Sequence, residues 1–504
     1  MTSKTEHTVP VRRSVDEEVA RRDLVMRVGI VVVGAMTIVV MLLTAGREHV
    51  YTEWRMHQVE HEKLMRSVEA GDAGPGATDL DVHIRQIVVP ELGATDRCTS
   101  CHAGIEDPRM SGQPQPHSSH PGKYLVQHES ARYGCTICHR GQGRALVFAE
   151  VKADDVHWPY ALLPAGMTQS SCGLCHGAEE VREHGGEKYA AGKTLFEERS
   201  CVACHQLDGR GGSLGPALDR EGAKHPQEVS MKYVSGPHTL PQWLVEHFEN
   251  PARIVPDSKM NPPEMTGEQI EALTIFMLSL QDRDLPSEYL TPGKYLELHE
   301  ARGVSKMDGP ELFSTYCGVC HDTGTYGRWD DDYGKFIPAV RGPTFVQIAT
   351  QNHITAAVLQ GRPGTEMAPW AGGMTGEEVD RLVEYILSTP LPEGATLAPE
   401  VVSRAHQDDL LIEGDANKGE VLFSMQCAAC HGQQGGGLLG PALANGVFQE
   451  NVTDGFMFAT IAYGHKDTAM PAFYAPEAGG YDIEDINALV AFVRLLGTGL
   501  EAQP

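Results

Sequence analysis

No cysteine in these 504 residues stands alone. All twelve fall in six Cys-x-x-Cys-His units: Cys98/Cys101/His102, Cys135/Cys138/His139, Cys172/Cys175/His176, Cys201/Cys204/His205, Cys317/Cys320/His321 and Cys427/Cys430/His431. With none left over, a disulfide framework has no material. A thioredoxin-type pair or a zinc site would not require a histidine directly after the second cysteine in every unit. Positive charge is also scarce. The 41 Lys and Arg against 68 Asp and Glu leave a formal charge of -27, which excludes nucleic acid as a partner. The acidic balance is expected either to steer basic partners towards the surface or simply to keep the chain soluble. Long apolar runs are absent except for one near the N-terminus. The glycine runs at Gly209 to Gly212 and Gly435 to Gly437 lack the lysine and the strand-and-helix setting of a phosphate loop.

The units themselves have a complete chemical purpose. Two thiols on one helical turn attack the two vinyl groups of a haem, and the next residue points its imidazole at the iron. The expectation is six covalently bound haem c groups, with His102, His139, His176, His205, His321 and His431 as proximal ligands. The glycine runs then let the chain pass close to a haem edge.

The single apolar run, Val28 to Ala45, has 18 uncharged residues, enough to span a bilayer. It predicts a cytoplasmic tail over 1–23 and a transmembrane anchor over 24–46. Arg12, Arg13, Arg21, Arg22 and Arg27 precede the run and favour a cytoplasmic N-terminus, though the flank after it is also basic. Attachment of c-type haem outside the cytoplasm sets the orientation more firmly: a single pass of the inner membrane, haem domains on the periplasmic side. A cleaved signal peptide is the alternative, with a poor small-residue site at Thr44-Ala45-Gly46. Glu48 to Glu69 lacks Gly and Pro, so the membrane helix is expected to run on as a stalk within 47–80, ended by the glycines and proline of Gly71 to Gly76. His57 and His61, four apart, fit a metal site on one helical face or, more simply, a solvated or interhelical role.

The second half holds a three-copy repeat. Leu195-Phe196, Leu312-Phe313 and Leu422-Phe423 lead into Cys201, Cys317 and Cys427. Gly215-Pro216, Gly342-Pro343 and Gly440-Pro441 follow, then a methionine, then apolar-periodic helices over Gly267 to Leu280, Gly376 to Leu387 and Ile483 to Leu496. Each copy resembles a class I cytochrome c domain, giving domains at 186–285, 306–392 and 413–499. The resemblance implies a thioether opposite each proximal histidine, at Met260, Met367 and Met470, with Met265 and Met374 as competitors.

The first half, 81–185, packs three units into too few residues for three such domains. It is read as a compact, loop-rich tri-haem module whose haems supply much of the core. Methionine is scarce here and histidine is not, so His120, His128 and His157 are the expected distal ligands, with His117, His184 and Met167 in reserve. The order GCTICHRGQGRA, HWPYALLP, CGLCH resembles the multihaem cytochrome subunits that accompany cytochrome b/Rieske-type quinol-oxidising complexes. The expected fold class is mainly α: an N-terminal transmembrane helix, the tri-haem module and three tandem class I cytochrome c domains. Met ligation stabilises ferrous iron relative to His ligation, so electrons would run from the membrane-proximal haems outward. The expected function is a relay from quinol-oxidising subunits to a periplasmic or membrane-bound oxidase or reductase, the acceptor carrying a basic docking face. The alternative is a reductase or peroxidase with one open iron. It is disfavoured because three methionines and at least three histidines can fill every sixth position, and because no Cys-x-x-Cys-Lys unit is present. Pro-rich linkers are expected at 282–309 and 389–414.

Overall fold

The chain from residue 15 onward is helical well before its apolar run begins. Val15–His49 is one helix, opened by Asp16, Glu17 and Glu18 and braced by ion pairs of Glu18 with Arg22 at 3.3 Å and Asp23 with Arg27 at 2.8 Å. In this computed structural model the described residues are 15–49, 51–71, 81–153, 158, 160–261, 264–302, 305–331, 333–466, 468–475, 477 and 480–498. Among them, this is the one helix long and apolar enough to cross a membrane. The continuous rod expected from the sequence is in fact two helices, because a second one, Glu53–Gly71, starts afresh and ends at the predicted glycine.

The chain divides into two compact units, Met1–Ala153 and Asp154–Pro504. The division falls inside the 81–185 segment, so the first two Cys-x-x-Cys-His turns lie in one unit and the third in the other. In the first unit the stalk helix packs against the first turn through Gln58. Its fully buried amide donates to the carbonyls of His83 at 2.8 Å and Ser100 at 2.9 Å. A short antiparallel hairpin, Ile87–Val89 with Ala94–Asp96, pairs Ile87 with Asp96 and delivers the chain to Cys98. The rest is brief helical turns around a thin apolar core of Val89, Leu92, Ala94, Met110 and Ile137, as expected if a cofactor completes the interior.

The second unit is helical and repetitive. The opening helices are Glu187–Glu198, Gly309–Leu312 with one π-turn over Phe313–Cys317, and Ala416–Gln426. Middle helices, Leu240–Glu249, Gln351–Gln360 and Asp454–Tyr463, are each capped by a threonine: Thr239, Thr350 and Thr453. Closing helices are Gly267–Ser279, Gly376–Leu387 and Ile483–Thr498. Opening and closing helices cross at a glycine in every copy. A Cβ on Gly192 would stand 2.0 Å from the Ala272 carbonyl oxygen, on Gly309 2.5 Å from the Tyr385 Cβ, and on Gly419 2.1 Å from the Ala488 carbonyl oxygen. Beside each crossing an aromatic pair repeats: Phe196 with Phe276 at 5.3 Å, Phe313 with Tyr385 at 5.8 Å, Phe423 with Phe492 at 5.3 Å.

The two linkers are packed, not free. Pro292–Arg302 is a helix whose Glu297 accepts from the Ala178 amide at 2.8 Å and from Lys193 at 2.9 Å. Pro399–Ala405 is a helix ending in fully buried Ala405, whose carbonyl accepts from the Thr453 hydroxyl.

Candidate haem sites

Each Cys-x-x-Cys-His unit is wound as one helical turn. The histidine amide donates to the first cysteine's carbonyl at 2.8 Å for His102, 3.0 Å for His139, 2.9 Å for His176, 3.0 Å for His205 and 2.9 Å for His431. Both sulfurs and the imidazole therefore leave the same turn. The twelve cysteines form no disulfide despite six close pairs. Burial pushes the thiols of Cys101, Cys175, Cys201, Cys320 and Cys427 up to about 11 and that of Cys317 up to about 12, the reverse of a thiolate metal site. Burial raises Cys172 and Cys204 in the same direction. Among the described residues no cluster of His, Cys, Asp and Glu suits a bare metal ion.

The twelve thiols are not equally covered by the chain. Cys138 is exposed, whereas the other eleven cysteines are at least half-buried. Cys430 is half-buried, and its carbonyl accepts from the amides of Leu438 at 3.1 Å and Gly440 at 2.8 Å, so the loop after the turn is tied to its backbone. Each is the second cysteine of its turn.

The imidazoles of the three repeated turns are each held through Nδ1. The Nδ1 of His205 lies 2.8 Å from the Pro216 carbonyl, that of His431 2.8 Å from the Pro441 carbonyl, and that of His321 3.1 Å from the Pro338 carbonyl. Such a bond fixes the tautomer and leaves Nε2 free to bind a metal. Glycine is required beside two of these rings: a Cβ on Gly215 would be 2.4 Å from the His205 ring, and on Gly440 2.8 Å from the His431 ring. The second copy departs from the sequence reading, which aligned Gly342-Pro343. There the hairpin Arg328–Asp330/Lys335–Ile337 is inserted after the binding turn, and it is Pro338, at the hairpin's exit, that meets the histidine.

Met260, Met367 and Met470 occupy one local structure. In each case the methionine amide donates, at 3.2 Å, to a hydroxyl two residues earlier, on Ser258, Thr365 and Thr468. In the second and third copies the middle helix stops at a left-handed glycine, Gly361 or Gly464, and the next amide donates to the methionine carbonyl, Arg362 to Met367 at 2.8 Å and His465 to Met470 at 3.0 Å. The pattern Ser/Thr-x-Met was present in the sequence and marks these methionines apart from Met265 and Met374.

In the first unit, His120 stands beside the second turn. Its ring centre is 6.1 Å from that of His139, and its Nδ1 is held 2.9 Å from the Pro121 carbonyl. Two imidazoles on one metal, with bonds of ~2 Å each and ~1 Å from nitrogen to ring centre, have centres about 6 Å apart. His128 is fixed through Nδ1 to the Tyr124 carbonyl at 3.1 Å, its ring 5.1 Å from Tyr133. His157 lies outside the described residues. Sequence reasoning gave too little weight to the first turn's surroundings. Buried His61 and His117 stack at 5.9 Å, with His57 5.8 Å from His117, and the Nδ1 atoms of His61, His102 and His117 have no hydrogen-bond partner. Burial above all holds His102 below its usual value, and His57, His139 and His117 press it further. The four-residue spacing of His57 and His61 was visible; their burial was not. Beside the third turn, Thr291 donates to the Cys175 carbonyl through its amide at 2.9 Å, and lines an apolar cleft of about 600 Å³ with Leu290, Pro292, Tyr295 and Leu296.

The turns also meet one another. In the first unit the thiols of Cys98 and Cys135 are hydrogen-bonded to each other. In the second, burial first and the charges of Cys204 and Cys320 next push the Tyr333 hydroxyl up to about 12. The two copies are joined there by the Gly211 amide donating to the Gly373 carbonyl at 3.2 Å and by an Arg210–Glu378 ion pair whose carboxylate is fully buried. The second and third copies interlock through His353, 4.9 Å from Phe456, and through Phe345, 6.4 Å from His465.

Comparison with known proteins agrees with this architecture. The cytochrome c family profile matches residues 189–281, and that of "Cytochrome C oxidase, cbb3-type, subunit III" matches 305–386 and 414–493. Cytochrome c-554(547) of Halothiobacillus neapolitanus is 33% identical over 94 residues, 16% of this chain and 98% of that protein. Cytochrome c oxidase subunit 2 of Alkalihalophilus pseudofirmus is 32% identical over 92 residues, 18% of this chain; the chain spans only 25% of that subunit's length. No solved structure matches the chain significantly. The chain belongs to the c-type cytochromes. Within them it is a multihaem electron-transfer protein, with cytochrome c domains through its C-terminal half and one N-terminal apolar helix.

Proposed function

We propose that this cytochrome carries six haems and relays electrons from a cytochrome b/Rieske-type quinol-oxidising complex to a periplasmic or membrane-bound acceptor, held by its N-terminal helix with the haem units outside the cytoplasm. Haem c supplies reversible one-electron iron chemistry without bond making or breaking. The observation that carries the reading is the closeness of the first two binding turns, joined by Asp96, which stands two residues before Cys98 and accepts from the Cys135 and Thr136 amides, because a relay needs neighbouring cofactor edges and a set of independent catalytic sites does not. His205, His321 and His431, with Met260, Met367 and Met470, would hold these three haems, and thioether ligation would raise their potential. In the first half, His120 opposite His139 is the clearest bis-histidine pair, and histidine ligation sets those haems lower. Electrons then fall from the anchor end to the C-terminal copies, whose likeness to oxidase components favours an oxidase as acceptor. Purification in mild detergent tests the donor: b-type haem and a Rieske iron–sulphur signal co-purify if the reading is right. A preparation that never associates with either, and that quinol-reduced complex fails to reduce, overturns it.

A further inference from the structure

Asp96 ends the hairpin that leads into Cys98, and its carboxylate lies where the first two binding turns touch. It is fully buried. One oxygen accepts from the Cys135 amide at 2.5 Å and the Thr136 amide at 2.9 Å, and the other from the Thr136 hydroxyl at 2.7 Å. Two glycines wall it in: a Cβ on Gly134 would be 2.6 Å from one carboxylate oxygen, and on Gly143 2.1 Å from the other. The adjacent cation turns elsewhere, since Arg97 donates to the Gln86 side chain at 2.8 Å and to the Arg144 carbonyl at 3.1 Å. Among the described residues Asp96 forms no ion pair.

The donors to this carboxylate are all neutral, two amides and a hydroxyl, and in a buried medium of low dielectric the field of a carboxylate is strong. A hydrophobic or amide side chain would seal the hairpin at lower cost. The charge sits two residues from Cys98 and one hydrogen bond from Cys135, the two cysteines whose sulfurs contact each other.

We infer that the haems on Cys98/Cys101 and Cys135/Cys138 form an edge-sharing pair, and that Asp96 sets the potentials of both together. The inference rests on the proposal that both turns carry haem. On reduction, each ferric iron takes one electron from the quinol-derived donor and no bond or proton moves. The iron–porphyrin core thereby loses one positive charge that Asp96 stabilises, so the carboxylate holds both potentials down. Asp96 is a positioning and tuning residue, acting through field and hydrogen bonds without touching iron.

The test uses the full-length cytochrome in detergent, with haem count fixed by intact mass and midpoint potentials read by optical and EPR-monitored redox titration. In Asp96→Asn, two of the six midpoints rise and the other four stay, while Asp96→Glu returns the pair towards wild type. An Asp96→Asn protein with full haem content and a titration superimposable on wild type overturns the inference, as does a shift confined to one haem. If Asp96→Asn fails to mature, Thr136→Val replaces it: losing one donor leaves the charge less compensated, so both midpoints must fall, and unchanged midpoints overturn the inference. A wild-type protein lacking haem on either turn defeats the six-haem reading itself, an outcome separate from an unshifted variant.

Discussion

Met260, Met367 and Met470 are each held by a hydroxyl two residues upstream, a bond that Ser305 also gives Met307, so it orders the loop before the methionine and does not by itself name a ligand. Only Met470 has proline next to it, yet all three amides make the same 3.2 Å bond. Replacing Met470 by leucine should abolish the near-infrared charge-transfer band of one thioether-ligated haem and produce one high-spin haem, with little change elsewhere. Met470→His should keep that iron low-spin and lower its potential. A second residue-scale consequence concerns pH. His353 is buried against Phe345, Phe448 and Phe456, its Nε2 accepting from Arg362 at 3.1 Å; burial first, and the Arg362 charge second, take it down to about 3 from 6.5. A histidine whose folded value lies below its unfolded value is protonated preferentially in the unfolded chain. Stability is therefore full above pH 6.5 and is lost as pH falls towards 3. The unfolding midpoint in denaturant, followed through that window, should fall less steeply for His353→Leu than for wild type.

At the scale of elements, the repeat was legible where chemistry is local and obscured where an insertion intervened. Leucine–phenylalanine pairs before Cys201, Cys317 and Cys427 marked the opening helices correctly, because the phenylalanines must reach the closing helix at a glycine crossing. The second copy's proline was misaligned because the Arg328–Ile337 hairpin moved the contact to Pro338, and hydrophobic period carries no trace of such a shift. Spacing also made every binding turn look the same, so the exposure of Cys138 was illegible; it depends on which loops fold over the second cysteine. Both linkers look Pro-rich and polar in sequence, yet each forms a helix with specific bonds to the copies beside it. In the first unit the two binding turns could be read directly, but not the burial of His61 and His117. Burial there depends on a stalk helix folding back against residues about forty positions away, as Gln58 does to Ser100. The Arg210–Glu378 pair joining the first two C-terminal copies gives a direct check on element packing. Glu378→Ala takes the carboxylate partner from a partly buried guanidinium and removes the Thr375 capping box, so it should cost about 3 kcal/mol. Calorimetry would register this as separation of the transitions of the two copies; one unchanged transition would show that the junction bears no load.

For the whole molecule, the account reduces to a ligand census. Six histidines follow six cysteine pairs, three methionines share one lock, and the first half is rich in imidazoles. A carrier has every iron filled on both sides, whereas an enzyme of the reductase or peroxidase type keeps one position open. The net charge of -27 adds that any soluble acceptor should bind through a basic face, with a rate that falls as salt rises. The decisive measurement is low-temperature EPR with near-infrared magnetic circular dichroism on the oxidised, mass-verified protein. Six low-spin haems, three with a thioether ligand and three with two imidazoles, are predicted; one stoichiometric high-spin haem that binds a small oxidant, or a mass short of six porphyrins, would contradict the account.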